Sequence, residues 1–370
     1  MKIWVYAIAK NEEKFAERWA ESMAEADGIT VLDTGSEDHT VEKLEQLGVN
    51  VVRETITPWR FDAARNRSLE LVPGDVDLCV CTDLDEVFRP GWRSALERAY
   101  APEYNQYRYR YTWNFLPDGS EGHVFYAEKI HCRHGFCWRG PVHEVLFCPN
   151  TRVRTVDGMQ LNHLADPRKS RGQYLPLLEL AVREEPENDR YCHYLGREYL
   201  FHRRWDDAIR LLKRHLALPT ARWADERCAS MRFLARCCRE KQDLPGAEQW
   251  LLRAVAEAGH LREPWIELAE LMMEARDWSG VTFAAERALR IKTRTDTYIT
   301  EARAWGSLPW DLLSLGCYYT GRFADAKKAS EEAVALEPDN HRLRENLRLI
   351  RNRVSAENDR LSQFSCGGNA

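Results

Sequence analysis

The stretch Asp77–Glu86, which reads DLCVCTDLDE, decides the fold of the N-terminal half. Its first part, Asp77–Thr82, is almost wholly apolar, as expected of a central strand in a parallel sheet that is covered on both faces. Two carboxylates, Asp83 and Asp85, follow directly. Because open parallel sheets bind their ligands beyond the carboxyl ends of the strands, the stretch predicts a buried strand with a polar site at its end.

Short apolar runs before this strand alternate with helical segments. They predict strands at Ile3–Ala9, Gly28–Leu32 and Val49–Arg53 and a helix at Asp62–Leu71. Asn11 is predicted to cap one helix and Ser36 the next, since Asn and Ser are favoured at helix N-caps. Strands separated by helices indicate βαβ units and a parallel sheet.

Polar segments follow three of the predicted strands, at Lys10–Asn11, Asp33–Asp38 and Asp83–Glu86. In a parallel sheet these segments share one edge, so we expect them to converge on one cleft. Residues from about 100 to 165 have a different pattern. Tyr107–Tyr111 alternates with period two, and several aromatic residues follow, which predicts mixed β structure and loops.

From about residue 170 the chain is helical and repetitive, and four windows fit the spacing of tetratricopeptide repeats. The windows are anchored by Leu195, Gly196, Tyr199, Trp205, Ala208 and Leu212; by Ala235, Ala247 and Ala254; by Trp265, Leu268, Ala269, Ala285 and Ala288; and by Trp310, Leu313, Gly321, Phe323, Ala326, Ala333 and Pro338. Thr293–Trp305 reads as an insertion, and an irregular helical bundle is the alternative. We therefore predict an α/β domain at residues 1–168 and an all-α, tetratricopeptide-like (TPR-like) repeat domain at residues 169–370.

Composition narrows the class of protein. The formal net charge of -5 gives no basic excess, so nucleic acid is not an expected partner. No apolar run approaches the roughly 18 residues that span a bilayer, and the N-terminal stretch lacks the features of a signal peptide, so we expect a cytoplasmic protein. The eleven cysteines are then expected to be reduced. A loose group of histidines and cysteines between His131 and Cys148 lacks the paired spacing of a zinc site.

The paired carboxylates Asp83 and Asp85 suit a divalent cation, because two oxygens just past a strand can be held near one ion. Alone this motif is weak, since Asp is common at strand ends. Three other motifs precede it in order, in the segments Ala7–Glu12, Leu32–Thr40 and Phe61–Asn66. Together the four segments resemble family 2 glycosyltransferases of the GT-A fold, a Rossmann-like α/β fold. The resemblance covers residues 1–90 well and 91–165 loosely, and some relatives also carry a tetratricopeptide region.

The resemblance implies a binding site for the nucleotide of a UDP-sugar. The residues it assigns there are Ala7, Ala9, Asn11, Glu12, Asp33, Gly35, Ser36, Arg65, Asp83 and Leu84. Asp33 is implied to bond the uracil or ribose, and Arg65 to approach the diphosphate or the loop that binds the base. The alternatives are that Asp33 caps a helix and that Arg65 is a surface residue paired with Asp62 or Glu70.

The resemblance also implies a metal ion, Mn²⁺ or Mg²⁺. Asp85 is the firmer ligand, Asp83 serves the metal or the ribose, and a late histidine, His163, completes the shell or else is a half-buried residue at a domain junction. Imidazole favours Mn²⁺ over Mg²⁺.

A general base is needed to deprotonate the acceptor. Glu144 is the first candidate and His143 the alternative, on a turn that Gly140 and Pro141 introduce; both could instead be plain turn residues. Trp138 is expected to face the sugar or acceptor.

The sequence thus predicts a metal-dependent, inverting transferase that moves a hexose from a UDP-sugar to a peptide, protein or glycan. The helical repeats are expected to present this acceptor or to form homodimer contacts, and the sequence leaves both roles open. One alternative is a sugar nucleotidyltransferase, although Ile8–Glu12 lacks the Gly-rich phosphate loop of such enzymes. The other is a non-catalytic tetratricopeptide adaptor with a degenerate GT-A domain.

Overall fold

A computed structural model describes residues 1–116, 119–166, 172, 174–295 and 297–366, with side chains up to residue 357. The described residues form two compact units. The first extends to Pro186 and includes Thr297 and Tyr298, and the second contains the remainder from Glu187 onward. The predicted boundary between residues 168 and 169 lies outside the described residues.

The first unit is an α/β structure, as predicted. Its strands are β1 (Ile3–Ala9), β2 (Gly28–Asp33), β3 (Asn50–Arg53), β4 (Leu78–Cys81), β5 (Glu86–Phe88), β6 (Gln106–Thr112), β7 (Val124–Cys132), β8 (Cys137–Arg139), β9 (Val145–Phe147) and β10 (Val153–His163). Its helices are α1 (Ala16–Met23), α2 (Thr40–Gln46), α3 (Phe61–Glu70), α4 (Trp92–Ala99) and α5 (Tyr174–Glu184).

The main sheet has the order β3-β2-β1-β4-β7-β6-β10-β5 within the described residues. The first four strands are all parallel, which confirms the predicted βαβ arrangement. β7 is antiparallel to both of its neighbours, whereas β10 is parallel to β6 and antiparallel to β5. β8 and β9 form a separate hairpin. This order brings the ends of β1, β2 and β4 side by side.

The central strands are apolar because the sheet buries both of their faces. All four residues of β4 are buried, as its almost continuous apolar sequence predicts. On β6 the tyrosines Tyr107, Tyr109 and Tyr111 are buried while Arg108 is exposed, so the period-two pattern corresponds to one core-facing side.

Two predicted helix caps are wrong. The residue before α1 is Phe15, and the residue before α2 is His39; neither makes a side-chain capping bond. Asn11 has φ of 56°, and Ser36 lies in the loop after β2. Both side chains bind to loop atoms instead, as described below, because the two loops meet in the folded chain.

The second unit is all-α. Its helices are α6 (Asp189–Phe201), α7 (Trp205–Ala217), α8 (Ala224–Glu240), α9 (Leu244–Glu257), α10 (Glu263–Glu274), α11 (Trp278–Arg290), α12 (Leu308–Tyr319), α13 (Phe323–Leu336) and α14 (His341–Cys366). The four predicted windows coincide with the pairs α6–α7, α8–α9, α10–α11 and α12–α13. The predicted insertion lies between α11 and α12 and contains a short 3-10 turn at Ala302–Ala304. No helix among the described residues is long and apolar enough to span a membrane.

Small residues allow close helix packing in this unit. Gly316 on α12 faces α11 so closely that an added Cβ would lie 2.5 Å from Thr282 Oγ1 and 2.9 Å from the Thr282 backbone nitrogen. A Cβ added at Gly196 on α6 would likewise lie 2.7 Å from the Leu212 side chain on α7. Glycine at these crossings lowers the helix propensity but allows the two helices to approach closely.

We expect Gly316→Ala to destabilise the second unit. Overpacking costs about 1–3 kcal/mol and the gain in helix propensity returns about 1 kcal/mol. Because backbone atoms of Thr282 are among those displaced, the net loss should be about 2 kcal/mol, measured by urea unfolding followed by circular dichroism. Gly306→Ala is the matched control, since no atom lies within 4 Å of an added Cβ there. A more stable Gly316→Ala protein would contradict this close approach.

Candidate functional site

The loops that follow β1 and β2 are bound to each other. Asn11 N donates to Ser36 Oγ at 2.8 Å, and Glu37 N donates to Asn11 Oδ1 at the same distance. Glu12 N donates to Thr40 Oγ1 at 2.7 Å. Two of the three polar segments that were predicted to converge are therefore in direct contact at the ends of adjacent strands.

Asp33, at the end of β2, organises the second of these loops. Its Oδ1 accepts from the backbone nitrogens of Gly35 and Ser36, each at 3.1 Å, and its Oδ2 accepts from Ser36 Oγ. Gly35 has φ of 110°, a conformation that favours glycine. Asp33 is paired in register with Ala9 of β1, and both are buried. The carboxylate thus shapes the loop in which the predicted nucleotide site lies.

Ala7 and Leu84, also assigned to that site, are buried, and Leu84 packs in the main core. Neither side chain is therefore placed to contact a ligand directly.

The acidic segment after β4 meets two cations. Arg65 Nη2 donates to Asp83 Oδ1 at 2.7 Å, and Lys129 Nζ donates to Asp83 Oδ2 at 3.1 Å. Burial alone would raise the pKa of Asp83, but the charges of Arg65 and Lys129 outweigh it and hold this pKa well below its usual range. Asp83 is thus ionised, and both of its oxygens are oriented by α3 and β7.

Glu86 supports this arrangement from beneath. Its Oε1 accepts from Lys129 Nζ at 2.8 Å and from the Tyr111 hydroxyl at 2.7 Å, and its Oε2 accepts from Asp83 N at 2.9 Å. The side chain is buried, and burial raises the pKa of Glu86, an effect that Lys129 only partly offsets. Glu86 therefore positions both the Asp83 backbone and Lys129.

Asp85 and His163 lie together, although 77 intervening residues separate them in the chain. β10 runs antiparallel to β5, with His163 opposite Glu86, and this register places His163 Nε2 3.5 Å from Asp85 Oδ2. His163 Nδ1 lies 2.9 Å from the carbonyl oxygen of Trp113. If Nδ1 carries the proton and donates it to that carbonyl, the Nε2 lone pair faces Asp85, as a metal ligand requires.

The electrostatics of this pair depend on protonation. Burial would lower the pKa of His163, but Asp85 outweighs burial and the pKa is raised. A proton and a metal ion therefore compete for the same Nε2 atom. One carboxylate and one imidazole at this spacing fit a cation whose remaining ligands come from phosphate and water.

Arg65 also reaches the candidate base. Its Nε donates to Glu144 Oε1 at 2.5 Å, while the guanidinium is only 5% exposed. The alternative that Arg65 is a surface residue paired with Asp62 or Glu70 is thus wrong: Asp62 pairs with Arg60, and Glu70 with Arg67. Burial lowers the pKa of Arg65, but Asp83 and Glu144 raise it well above its usual value.

Glu144 lies on a turn, as predicted, and two residues of this turn have positive φ. Gly140 has φ of 105° and His143 has φ of 51°, and the carbonyl oxygen of Pro141 accepts from Phe61 N at 3.0 Å. The His143 ring lies 5.8 Å from the Tyr174 ring, centroid to centroid. The turn is thus anchored to the start of α3, and Glu144 rather than His143 is connected to Arg65.

Trp138 lies in the core and not on an open face of the site, which differs from its predicted position. Its ring is 4% exposed, and Nε1 donates to the Tyr6 hydroxyl at 2.8 Å. Tyr6 is in turn 2.8 Å from Nε2 of the buried His131, whose Nδ1 lies 2.7 Å from the Cys132 carbonyl oxygen. The Arg65 guanidinium lies over the Trp138 ring, 5.3 Å from its centre. The hydrogen bonds of Trp138, Tyr6 and His131 therefore fix the ring against which Arg65 packs.

Sequence reasoning missed Lys129 and gave Glu86 no role of its own, although Glu86 belongs to the polar segment Asp83–Glu86 that was expected at the cleft. Among the aromatic residues it favoured Trp138 over Tyr111 and Trp113. Lys129 had no local signal, because it sits alone on an alternating strand. The Trp113 ring is 41% exposed and lies 4.4 Å from the His163 ring, so it is the aromatic side chain that borders the Asp85–His163 pair.

Residues 4–139 match the family model described as glycosyl transferase family 2. This match confirms the resemblance predicted from the four motifs, and it includes the segment from β1 to β8. His143, Glu144 and His163 lie beyond the matched residues.

Solved structures with partial likeness fall into two groups. Glucosyl-3-phosphoglycerate synthase from Mycobacterium tuberculosis, solved with Mn²⁺, UDP and glucosyl-3-phosphoglycerate, is 25% identical over 30% of this chain and 44% of its own, with a TM-score of 0.27. MamA is 17% identical, over 45% of this chain and 89% of its own, with a TM-score of 0.37. Yeast Tom70 is 14% identical, over 54% of this chain and 39% of its own, with a TM-score of 0.38. This chain spans less than half of the synthase and of Tom70. With TM-scores below 0.5, the fold rests on the sheet order and helix pairs described above.

We expect Arg65→Gln to lower the free energy of unfolding of the first unit by about 3–5 kcal/mol, because it leaves Asp83 and Glu144 facing each other without their shared cation. Arg67→Gln on the same helix is the matched control. Arg67 pairs with Glu54 and Glu70 at the surface, so its loss should cost less than about 1 kcal/mol. Urea unfolding of both variants checks this, and equal losses would contradict the central role of Arg65.

The buried His131 should make the first unit sensitive to acid. Burial lowers the pKa of His131 from 6.5 to about 4, so the unfolded chain binds a proton at higher pH than the folded one. The contribution of neutral His131 to the free energy of unfolding is therefore complete above about pH 6.5. It falls by up to about 3 kcal/mol as the pH drops toward 4. In urea unfolding, His131→Gln should flatten this dependence. His134→Gln, at an exposed position, should not; an unchanged slope in His131→Gln would contradict the assignment.

Proposed function

Given the family 2 glycosyltransferase match at residues 4–139, we propose that the protein is a metal-dependent, inverting hexosyltransferase that uses a UDP-sugar. The observation that carries the proposal is the pairing of Asp85 with His163, together with a buried arginine that binds both Asp83 and the candidate base Glu144. An adaptor with a decayed site has no need to keep these charges buried and matched.

The metal ion is proposed to bind Asp85 and His163. When bound, a divalent cation neutralises the negative charge that grows on the diphosphate as the sugar leaves. The donor set of one carboxylate and one imidazole favours Mn²⁺ over Mg²⁺. Asp83 is held by Arg65 and Lys129 and is therefore proposed to face the ribose or the diphosphate, with its charge balanced by the two cations.

The nucleotide is proposed to bind over the two joined loops. Asn11 and Glu12 belong to the first loop, and Asp33, Gly35 and Ser36 to the second, so the uracil and ribose would contact a surface that is already ordered by internal hydrogen bonds. Such preorganisation lowers the entropy that binding must overcome. Ala7 and Ala9 are buried and would lie beneath this surface.

Glu144 is proposed as the general base and His143 as the less favoured candidate. Arg65 binds Glu144 Oε1 and fixes the direction of the carboxylate, whose side chain is 11% exposed. A base must lie within hydrogen-bond reach of the acceptor proton, and a carboxylate held in one direction is suited to that role. The exposed ring of Trp113 is proposed, in place of Trp138, as the surface that borders the sugar or the acceptor.

The acceptor is proposed to be a peptide, protein or glycan recognised by the second unit. That unit carries several exposed aromatic side chains, including Phe201, Phe283 and Tyr319. Exposed apolar side chains on a helical repeat surface are suited to binding extended chains, and equally to contact with a second copy of the protein.

Three variants separate metal binding from proton transfer. Asp85→Asn should remove the effect of Mn²⁺ on UDP binding, measured by calorimetry with and without the ion, and should lower transfer by about 100-fold or more. Glu144→Gln should keep Mn²⁺-dependent UDP binding and lose transfer by about 100-fold or more. Asp157→Asn, at an exposed position on the same strand as His163, is the control for a general loss of carboxylate charge.

The assay measures UDP release from UDP-glucose, UDP-galactose and UDP-N-acetylglucosamine with Mn²⁺. If no UDP binding responds to Mn²⁺ in the unmodified protein, the proposal is wrong and the adaptor alternative is favoured. If His143→Gln rather than Glu144→Gln abolishes transfer, the base is His143.

A further inference from the structure

Three polar side chains that the proposed transfer chemistry does not use meet inside the second unit. His193 lies on α6, His215 on α7 and Glu226 on α8, and all three are buried. One ligand atom from each lies within 4.8 Å of the other two. Among the described residues, this is the one group of three histidine, cysteine or acidic side chains with ligand atoms this close together.

The spacing is close to that of a tetrahedral metal site. Zinc binds nitrogen and oxygen at about 2.0–2.2 Å, so its tetrahedral ligands lie about 3.3–3.6 Å apart. His215 Nε2 and Glu226 Oε1 are already 3.3 Å apart. The remaining separations must shorten by at most roughly 1.5 Å, a change that small rotations of the side chains can supply.

Ser230 fits the position of a residue that orients the two histidines. It lies one helical turn after Glu226, and its Oγ is 2.7 Å from His193 Nδ1 and 2.9 Å from His215 Nδ1. A hydroxyl oxygen has two lone pairs and can accept an N–H from both rings. In that arrangement both Nε2 atoms carry lone pairs, and each metal-binding ring has the hydrogen-bond partner that such rings usually have.

The charges are also suited to a cation. His193 and His215 are 0% exposed, and Glu226 is 7% exposed. A bound cation would offset the cost of holding the carboxylate charge away from water.

We propose that His193, His215 and Glu226 bind one transition-metal ion, Zn²⁺ in the first instance. Two imidazoles and one carboxylate form a donor set that zinc uses, with a fourth position for water. Because the three ligands come from three successive helices, the ion ties the first helix pair to the second and stabilises the start of the repeat array. This ion is distinct from the one proposed at Asp85, and its role does not depend on transfer.

The test uses the full chain with Asp85→Asn, so that the proposed donor-site metal is weakened. After dialysis against a chelator and re-addition of Zn²⁺, this protein should retain about one zinc per chain by elemental analysis and melt at a higher temperature with the ion than without it. Adding Glu226→Gln, which keeps the shape of the side chain but removes its charge, should weaken zinc binding by about 100-fold or more. Asp225→Asn is the matched control, since the neighbouring Asp225 pairs with His260.

The outcomes separate a metal site from a polar cluster. The proposal is overturned if the Asp85→Asn protein holds no zinc, or if Glu226→Gln holds as much as Asp225→Asn. If Glu226→Gln does not fold, Co²⁺ in the Asp85→Asn protein decides: an intense visible spectrum of tetrahedral cobalt supports the site, and the weak spectrum of hexa-aqua cobalt excludes it.

Discussion

The first unit depends on the ion pairs of the buried Arg65 guanidinium. Arg65 binds Asp83, which lies just after β4, and Glu144, which lies on the turn after β8. A buried cation is stable only beside anions that balance its charge. Each of these carboxylates in turn stays ionised away from water because the cation is close to it. The three groups therefore hold each other in place, and they fix the positions of the proposed nucleotide contact and the proposed base at once.

The rest of the site is arranged around that cation. Lys129 and Glu86 hold the far side of Asp83, and Trp138 lies beneath the guanidinium as part of a hydrogen-bonded chain through Tyr6 to His131. These groups leave Asp85 outside the network, where it meets His163. The two aspartates of the motif thus face different surroundings: Asp83 has its charge balanced by two protein cations, and Asp85 is the proposed ligand of a metal ion.

The second unit has buried charges of a different kind. Arg232 is buried with Glu267, and Glu301 from the insertion reaches the same guanidinium, so the insertion is tied to α8. His193, His215 and Glu226 form a second polar group, at the first helix pair. Small residues such as Gly316 bring the helices close, and these polar groups then link specific pairs of helices. All the repeats are joined by close packing of their helices. Individual pairs of helices are also linked by buried polar contacts that differ from one repeat to the next.

The sequence by itself determined the parallel strands, the four helix pairs and the resemblance to family 2 glycosyltransferases that the match at residues 4–139 confirms, because these depend on local periodicity and on motifs that are contiguous in the chain. It also selected Asp85, His163 and Glu144. Only the tertiary structure decided which of them meet. Lys129 reaches Asp83 across a strand pairing, Arg65 binds Asp83 and also reaches Glu144, 79 positions away in the chain, and Trp138 is turned into the core by its bond to Tyr6. Such contacts depend on strand order and on long-range burial, and no local pattern in the chain encodes them.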